Sequence, residues 1–373
     1  MDGDLGIKGV DEIQNLSQTD RLRIIEAHKK IRSLLGDSRA DGQPILFGTP
    51  IFGWMDQRTL DAQLLIVEFA DDLASLEKCA NFNELVGRFQ RKENCGSAYY
   101  ELKVASMFLK KKCTVEFVSE KGNKKKPDLL VRKDADNLMI EVGALELSKE
   151  EEDMQSDLWA IIRTTWGVAG VRIGGKIYKR LSVPAREDIC ESIREKITKT
   201  GRFEGHERIV IPRTVDIHLY TAESEQEVPA EYRGGKLEGA VPKTTEPHRL
   251  RTIIRSKVSQ LPKDQVGLLF IVDGNLWGHE FKEGFAEALV DELDQTIFDY
   301  PNLSAVVIHQ FVWTAGLEIN RIDEGSGYVR RILTTGNILK TREDYLLIMN
   351  KYSSRALFSW AKEALGFGQK LKA

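Results

Sequence analysis

Residues 97–145 read SAYYELKVASMFLKK (97–111), TVEFVSE (114–120) and, after a lysine-rich turn and the pair Pro127-Asp128, LLVRKDADNLMIEVGAL (129–145). The first run predicts a helix, the second a strand and the last a hairpin. On the helix, Glu101 shares a stripe with Ala105 and Phe108, four and seven residues further on, and that stripe is the side that faces a sheet. A carboxylate on such a stripe requires a partner, because burying an unpaired charge is costly.

The hairpin supplies candidates. Asp134, Ala135, Asp136 and Asn137 are turn formers between two apolar runs, so the turn centres near Asp134 and Ala135. In an antiparallel pair folded there, residues whose numbers total about 269 to 271 lie opposite each other, and Asp128 with Glu141 totals 269. Cross-strand neighbours have Cβ atoms on the order of 5 Å apart. Two carboxylates that close repel unless a cation or a shared proton lies between them, and a divalent metal is the simplest answer.

A helix glutamate, a Pro-Asp pair heading a strand, and a hairpin ending in apolar-Glu-apolar together resemble the core of the PD-(D/E)XK nuclease superfamily, the restriction-endonuclease-like fold. The matching residues are Glu101, Pro127-Asp128 and Glu141, across about fifty of the 373 residues. One position departs: where the family carries lysine two residues after the second acid, this chain has Gly143. The resemblance implies an α/β fold with a mixed sheet flanked by helices, and the caps and apolar patterns before it predict an N-terminal helical region. The resemblance also implies metal-dependent hydrolysis of nucleic-acid phosphodiester bonds. Asp128 and Glu141, helped by Glu101 through water, would hold Mg²⁺ or Mn²⁺, and a lysine would stabilise the developing charge.

The helix HRLRTIIRSKVSQLP (248–262) offers that lysine. Its apolar stripe is Leu250, Ile253, Ile254, Val258 and Leu261, and Lys257 lies on the same side, with Gln260 three residues further on. Lys257 either reaches the carboxylates or snorkels along the sheet. In the family the lysine is known to migrate to other elements, so Lys257 and Gln260 join Glu101, Asp128 and Glu141 as candidate site residues.

Composition bounds the rest. A chain of 373 residues predicts more than one structural unit, and 42% apolar with 30% charged residues suits a soluble protein with a real core. The expected division is a helical region over 1–92, a nuclease-like domain over 93–320 and a mixed extension over 321–373 that ends in a helix, YLLIMNKYSSRALFSWAKEALG (345–366). A net charge of -3 and a pI near 6.2 exclude a global basic field. Residues 103–126, however, hold eight lysines against two glutamates. Lys124, Lys125 and Lys126, with Arg172, Lys176, Lys179 and Arg180 of an expected loop or hairpin around Gly174-Gly175, are therefore candidate phosphate contacts.

Four cysteines without CxxC spacing argue against disulfides and structural zinc, and the absence of a long apolar run argues against a membrane span. The expected setting is the cytoplasm. The expected partner is nucleic acid, DNA before RNA, with a second copy or a partner protein left open. Two alternatives stay open: a catalytically inactive nuclease-like module that binds nucleic acid or a protein, and an α/β protein whose acids form ordinary surface pairs.

Overall fold

Strands β2 (Leu129–Lys133) and β3 (Asp136–Leu145) form the hairpin, closed by Asp134 and Ala135 with Asp134 in the left-handed region at φ 54°. Leu129 pairs with Ile140 and Lys133 with Asp136, so opposed numbers total 269. The structure is a computed structural model. It describes residues 17–36, 60–91, 94–119, 126–145, 149–165, 168, 170–198, 203–239, 246–273, 285–312, 321–322, 327–333 and 341–367.

The protein is of the mixed α/β class, and the hairpin belongs to its larger sheet. The other strands there are β1 (Thr114–Phe117), β8 (Val266–Asp273), β9 (Leu303–Val312), β10 (Arg321–Ile322), β11 (Gly327–Leu333) and β12 (Thr341–Met349). Their order is β1-β2-β3-β8-β9-β12-β11-β10. Neighbours β3, β8 and β9 run parallel, and the remaining pairs are antiparallel. Residues 268–272 of β8 are all buried, as a strand covered on both faces must be.

Four helices, α1 (Gln18–Leu35), α2 (Leu60–Leu76), α3 (Phe82–Phe89) and α4 (Cys95–Leu109), bury Ile24, Phe69, Phe89 and Phe108 in one cluster with Val131, Val142, Phe270 and Val307. Side chains that alternate with these point the other way. Leu269, Ile271, Val306 and Ile308 pack with Ile254 of α7 (Glu246–Lys257) and Leu293 of α8 (Phe285–Phe298). Ser17 caps α1 by accepting from the Asp20 N–H. The short helix α9 (Ser359–Ala364) is tied to the hairpin where Trp360 Nε1 donates to Asp136 Oδ2 at 3.0 Å.

Residues 147–245 form a separate compact unit, the other unit being 1–146 with 246–373. Its four strands are β4 (Arg172–Ile177), β5 (His206–Ile211), β6 (Val215–Tyr220) and β7 (Leu237–Glu238), in the order β5-β6-β4-β7. Ile161 of α5 (Lys149–Arg163) and Ile193 of α6 (Val183–Thr198) close its core against Ile177 and Ile217.

This partition differs from the threefold division expected from sequence. The N-terminal helices share a core with the sheet, β11 and β12 of the C-terminal region complete that sheet, and 147–245 is inserted between β3 and α7. Two local expectations change as well. The run 345–349, expected to open a C-terminal helix, lies in β12, because a continuous apolar run of this length suits a strand buried on both sides. The Gly174-Gly175 segment, expected as a loop or hairpin, is an inner strand of the smaller sheet. A Cβ on Gly174 would sit 2.1 Å from the Tyr232 carbonyl oxygen, and one on Gly175, at φ 137°, would sit 2.1 Å from that of Asp216. The glycine pair therefore serves backbone packing. No described helix is long and apolar enough to cross a membrane.

Gly175→Ala should destabilise the smaller unit by roughly 3 kcal/mol or more, through steric overlap and a forced positive φ. In hydrogen exchange, β4 and β6 amides should lose protection while β3 and β8 amides keep it. Equal loss in both sheets would refute independent compactness.

Candidate active site

Asp128 stands one residue before β2, where the ladder to β3 runs out. Its N–H donates to the Ile140 carbonyl at 3.0 Å, and its Oδ2 accepts the Val142 N–H at 2.7 Å. The carboxylate thus takes over a backbone donor that the next β2 residue would otherwise meet, which fixes it at the strand mouth. Glu141 lies opposite in the register and is fully buried. Its Oε1 accepts from Lys257 Nζ at 2.6 Å and from Gln260 Nε2 at 2.7 Å.

Lys257 ends α7 and Gln260 closes the 3-10 turn that continues it, so one helix end delivers both donors. Glu141 Oε2 receives a hydrogen bond from no donor among the described residues. Its neighbour is the Asp128 carboxyl, another acceptor when ionised, so the two can bond only by sharing a proton.

Electrostatics follow from that geometry. Burial, then the Asp128 charge, push the Glu141 carboxyl up to about 9, against the pull of Lys257. Burial raises Asp128 too, opposed by Lys257, the Val142 N–H and Arg88. For Lys257 burial works downward, but the charge and hydrogen bond of Glu141 win and its pKa is raised.

Gly143 explains the route of Lys257. A Cβ at 143 would lie 3.1 Å from Ile253 Cγ2, 3.7 Å from Lys257 Cγ and 4.0 Å from Lys257 Cε. The lysine stem therefore runs across the space that a side chain at 143 would fill. Glycine on β3 and lysine on α7 are two halves of one packing solution.

Glu101 is buried on α4 and held by a two-pronged ion pair: Arg88 Nη1 donates to Oε1 at 2.7 Å and Nη2 donates to Oε2. Its charge still acts on Lys257, and that of Arg88 on Asp128. Among the described residues no group of three His, Cys, Asp or Glu side chains could hold one metal ion. Asp128 and Glu141 are accordingly the candidate ligand pair, with Glu101 tied up by arginine.

Of the five residues singled out from sequence, Asp128, Glu141, Lys257 and Gln260 meet at one place, while Glu101, held by Arg88, acts on Lys257 through its charge. Arg88 escaped the sequence reading. The available signal was its position in the strongly amphipathic α3, three residues after buried Leu85 and one before buried Phe89, where a charge must find a partner.

Arg172 pairs with Glu225 at 2.9 Å, Lys176 with Glu238 at 3.7 Å and Arg180 with Asp153 at 2.5 Å. These three and Lys179 belong to the 147–245 unit. Lys126 donates to the Ser119 carbonyl at 3.1 Å, and Lys124 and Lys125 lie outside the described residues. Compared with family models, curated proteins and solved structures, the chain matches none.

A carboxyl raised from the usual 4.5 to about 9 favours folding most below about pH 4.5, and that contribution is lost as pH climbs toward 9. Lys257, raised above its ordinary 10.5, contributes evenly across this window. Glu141→Gln keeps an acceptor for Lys257 and gives Asp128 a donor. Without added metal, the variant should therefore gain on wild type by about 1.4 kcal/mol or more, one pKa unit's worth, between pH 6 and pH 9 in chemical unfolding. Parallel pH profiles for the two proteins would refute the strained pair.

Proposed function

We propose that the chain is a metal-dependent nuclease hydrolysing phosphodiester bonds of nucleic acid, DNA ahead of RNA, and a divergent relative of the PD-(D/E)XK superfamily. The observation that carries this reading is the pair of neighbouring buried carboxyls, Asp128 and Glu141, with a lysine and a glutamine both donating to Glu141.

The pair fits a hard divalent cation. Asp128 gives Val142 one of its two oxygens, and Glu141 Oε2 is buried without a described donor, so an oxygen-only set suited to Mg²⁺ or Mn²⁺ is at hand. Held by Asp128 and Glu141, the ion would polarise a phosphoryl oxygen and make a bound water more acidic. Lys257, with its side chain one-third exposed (33%) beside fully buried Glu141, brings the cation that Gly143 lacks and would face the charge that builds on a phosphoryl group. Gln260 holds Glu141 in place while Lys257 turns toward substrate. Arg88, fixed by Glu101, keeps a second positive charge beside Asp128.

With Mg²⁺ or Mn²⁺, wild type should cut DNA, and Asp128→Asn and Glu141→Gln should each lose activity by about 100-fold or more. Lys257→Ala should lower turnover by a similar factor with DNA affinity nearly intact, because it removes an interaction made mainly in the transition state. Gly143→Lys alone should impair the enzyme by crowding Ile253 and Lys257, and adding Lys257→Ala should recover part of the activity. Wild type inert on every DNA and RNA offered with either ion would reject the enzyme and favour an inactive module that binds nucleic acid or a protein.

A further inference from the structure

Arg88 has little freedom. It sits on α3 between fully buried Leu85 and Phe89, its side chain is 12% exposed, and the Glu101 side chain it grips is 3% exposed. The grip uses both prongs: Nη1 donates to Glu101 Oε1 at 2.7 Å, and Nη2 donates to Oε2. Forked arginine–carboxylate pairs are among the stronger charge-assisted bonds, and removing one partner leaves a buried charge without its counterion. The helix is itself pinned to the end of β1. Asn81 Nδ2 donates to the Phe117 carbonyl at 2.7 Å, and Ser119 Oγ donates to Glu84 Oε1 at 2.9 Å. The Val118 N–H in turn donates to the Asp128 carbonyl at 2.9 Å. One short helix therefore fixes Arg88 on Glu101 and ties that pair to the backbone that carries Asp128.

The charges of the cluster limit what it can hold. With every group ionised, Asp128, Glu141 and Glu101 bring three negative charges and Lys257 and Arg88 two positive ones, a net of one negative. One divalent ion takes the cluster to a net of one positive, and a second takes it to three. Centres that hold two ions, roughly 3.5–4 Å apart, need anionic oxygens for both. Here Glu101 has both oxygens in a guanidinium fork, and the charge of that fork also acts on Asp128. A second ion would have to displace the fork or lie near it, and like charges repel strongly where water is scarce.

We infer that Arg88 is a positioning residue that restricts the carboxylate centre to a single divalent cation: it keeps Glu101 as its own counterion and supplies, as a guanidinium, the positive charge that a second ion would bring. The inference rests on the proposed metal-dependent reading and concerns how many ions that centre takes.

The test is Mn²⁺ titration of the full chain without nucleic acid, followed by calorimetry and by the electron paramagnetic resonance signal of free Mn²⁺. Wild type should bind one ion, weakened tenfold or more by Asp128→Asn. Arg88→Gln, which leaves Glu101 ionised without its guanidinium, should bind two. Arg88→Lys keeps the positive charge and should stay at one. Arg88→Gln combined with Glu101→Gln replaces the ion pair with two amides that can bond to each other, and should bind one ion within threefold of the wild-type affinity. The double variant keeps the test decisive where Arg88→Gln fails to fold, because losing a Glu101 that ligated the ion would weaken binding tenfold or more. Two ions in wild type, one ion in folded Arg88→Gln, or a tenfold loss in the double variant would each overturn the inference and leave the nuclease reading standing. No Mn²⁺ bound by wild type would overturn both.

Discussion

Glu141 is ionisable, fully buried and placed opposite another acid, and much of the larger unit can be understood as the means of keeping it there. Asp128, Glu141 and Glu101 contribute three negative charges when ionised, and Lys257 and Arg88 contribute two positive ones. Burial first, and then that excess of one, raise the Glu141 carboxyl and favour an extra proton or an extra cation at the site. Nothing in an ordinary core rewards that arrangement, because well-packed apolar residues serve folding as well or better. The strand register, the Asp128 bond to Val142, the glycine at 143 and the end of α7 converge on a group whose cost to the fold is met by no stability gain of its own.

The hairpin was legible because two-residue turn chemistry and a side-chain period of two determine the register together, and the register sets Asp128 against Glu141. Lys257 was legible for a different reason. A lysine inside an apolar helical stripe has few destinations, and here the destination is a carboxylate 2.6 Å away. Arg88 was hidden because its partner lies on another helix at an angle that no periodicity reports.

What the sequence hid was mostly partner choice among strands. His206–Ile211 and Val215–Tyr220 have the patterning of sheet strands and are strands, yet they pair with Arg172–Ile177 in a sheet of their own. Apolar alternation states that a strand is half buried without naming its neighbour. The same ambiguity affects Tyr345–Met349, where a short apolar run fits helix and strand alike until β9 and β11 flank it. Domain limits inferred from chain order therefore failed where the chain returns to a sheet after a 99-residue excursion over 147–245.

That excursion sets an order of events during synthesis. Lys257 follows Glu141 by 116 residues, so at ribosomal speeds on the order of ten residues per second the acids precede their lysine by roughly ten seconds. Through that interval β3 also lacks β8, its parallel neighbour, and Gly143 lacks the stem that will cover it. The smaller unit, contiguous in sequence, has all its strands in hand before α7 is made. The carboxylate cluster is thus completed after an independent fold has been made in the middle of the chain, and in a nascent protein its acids stay without their lysine until the last third of the chain is being translated.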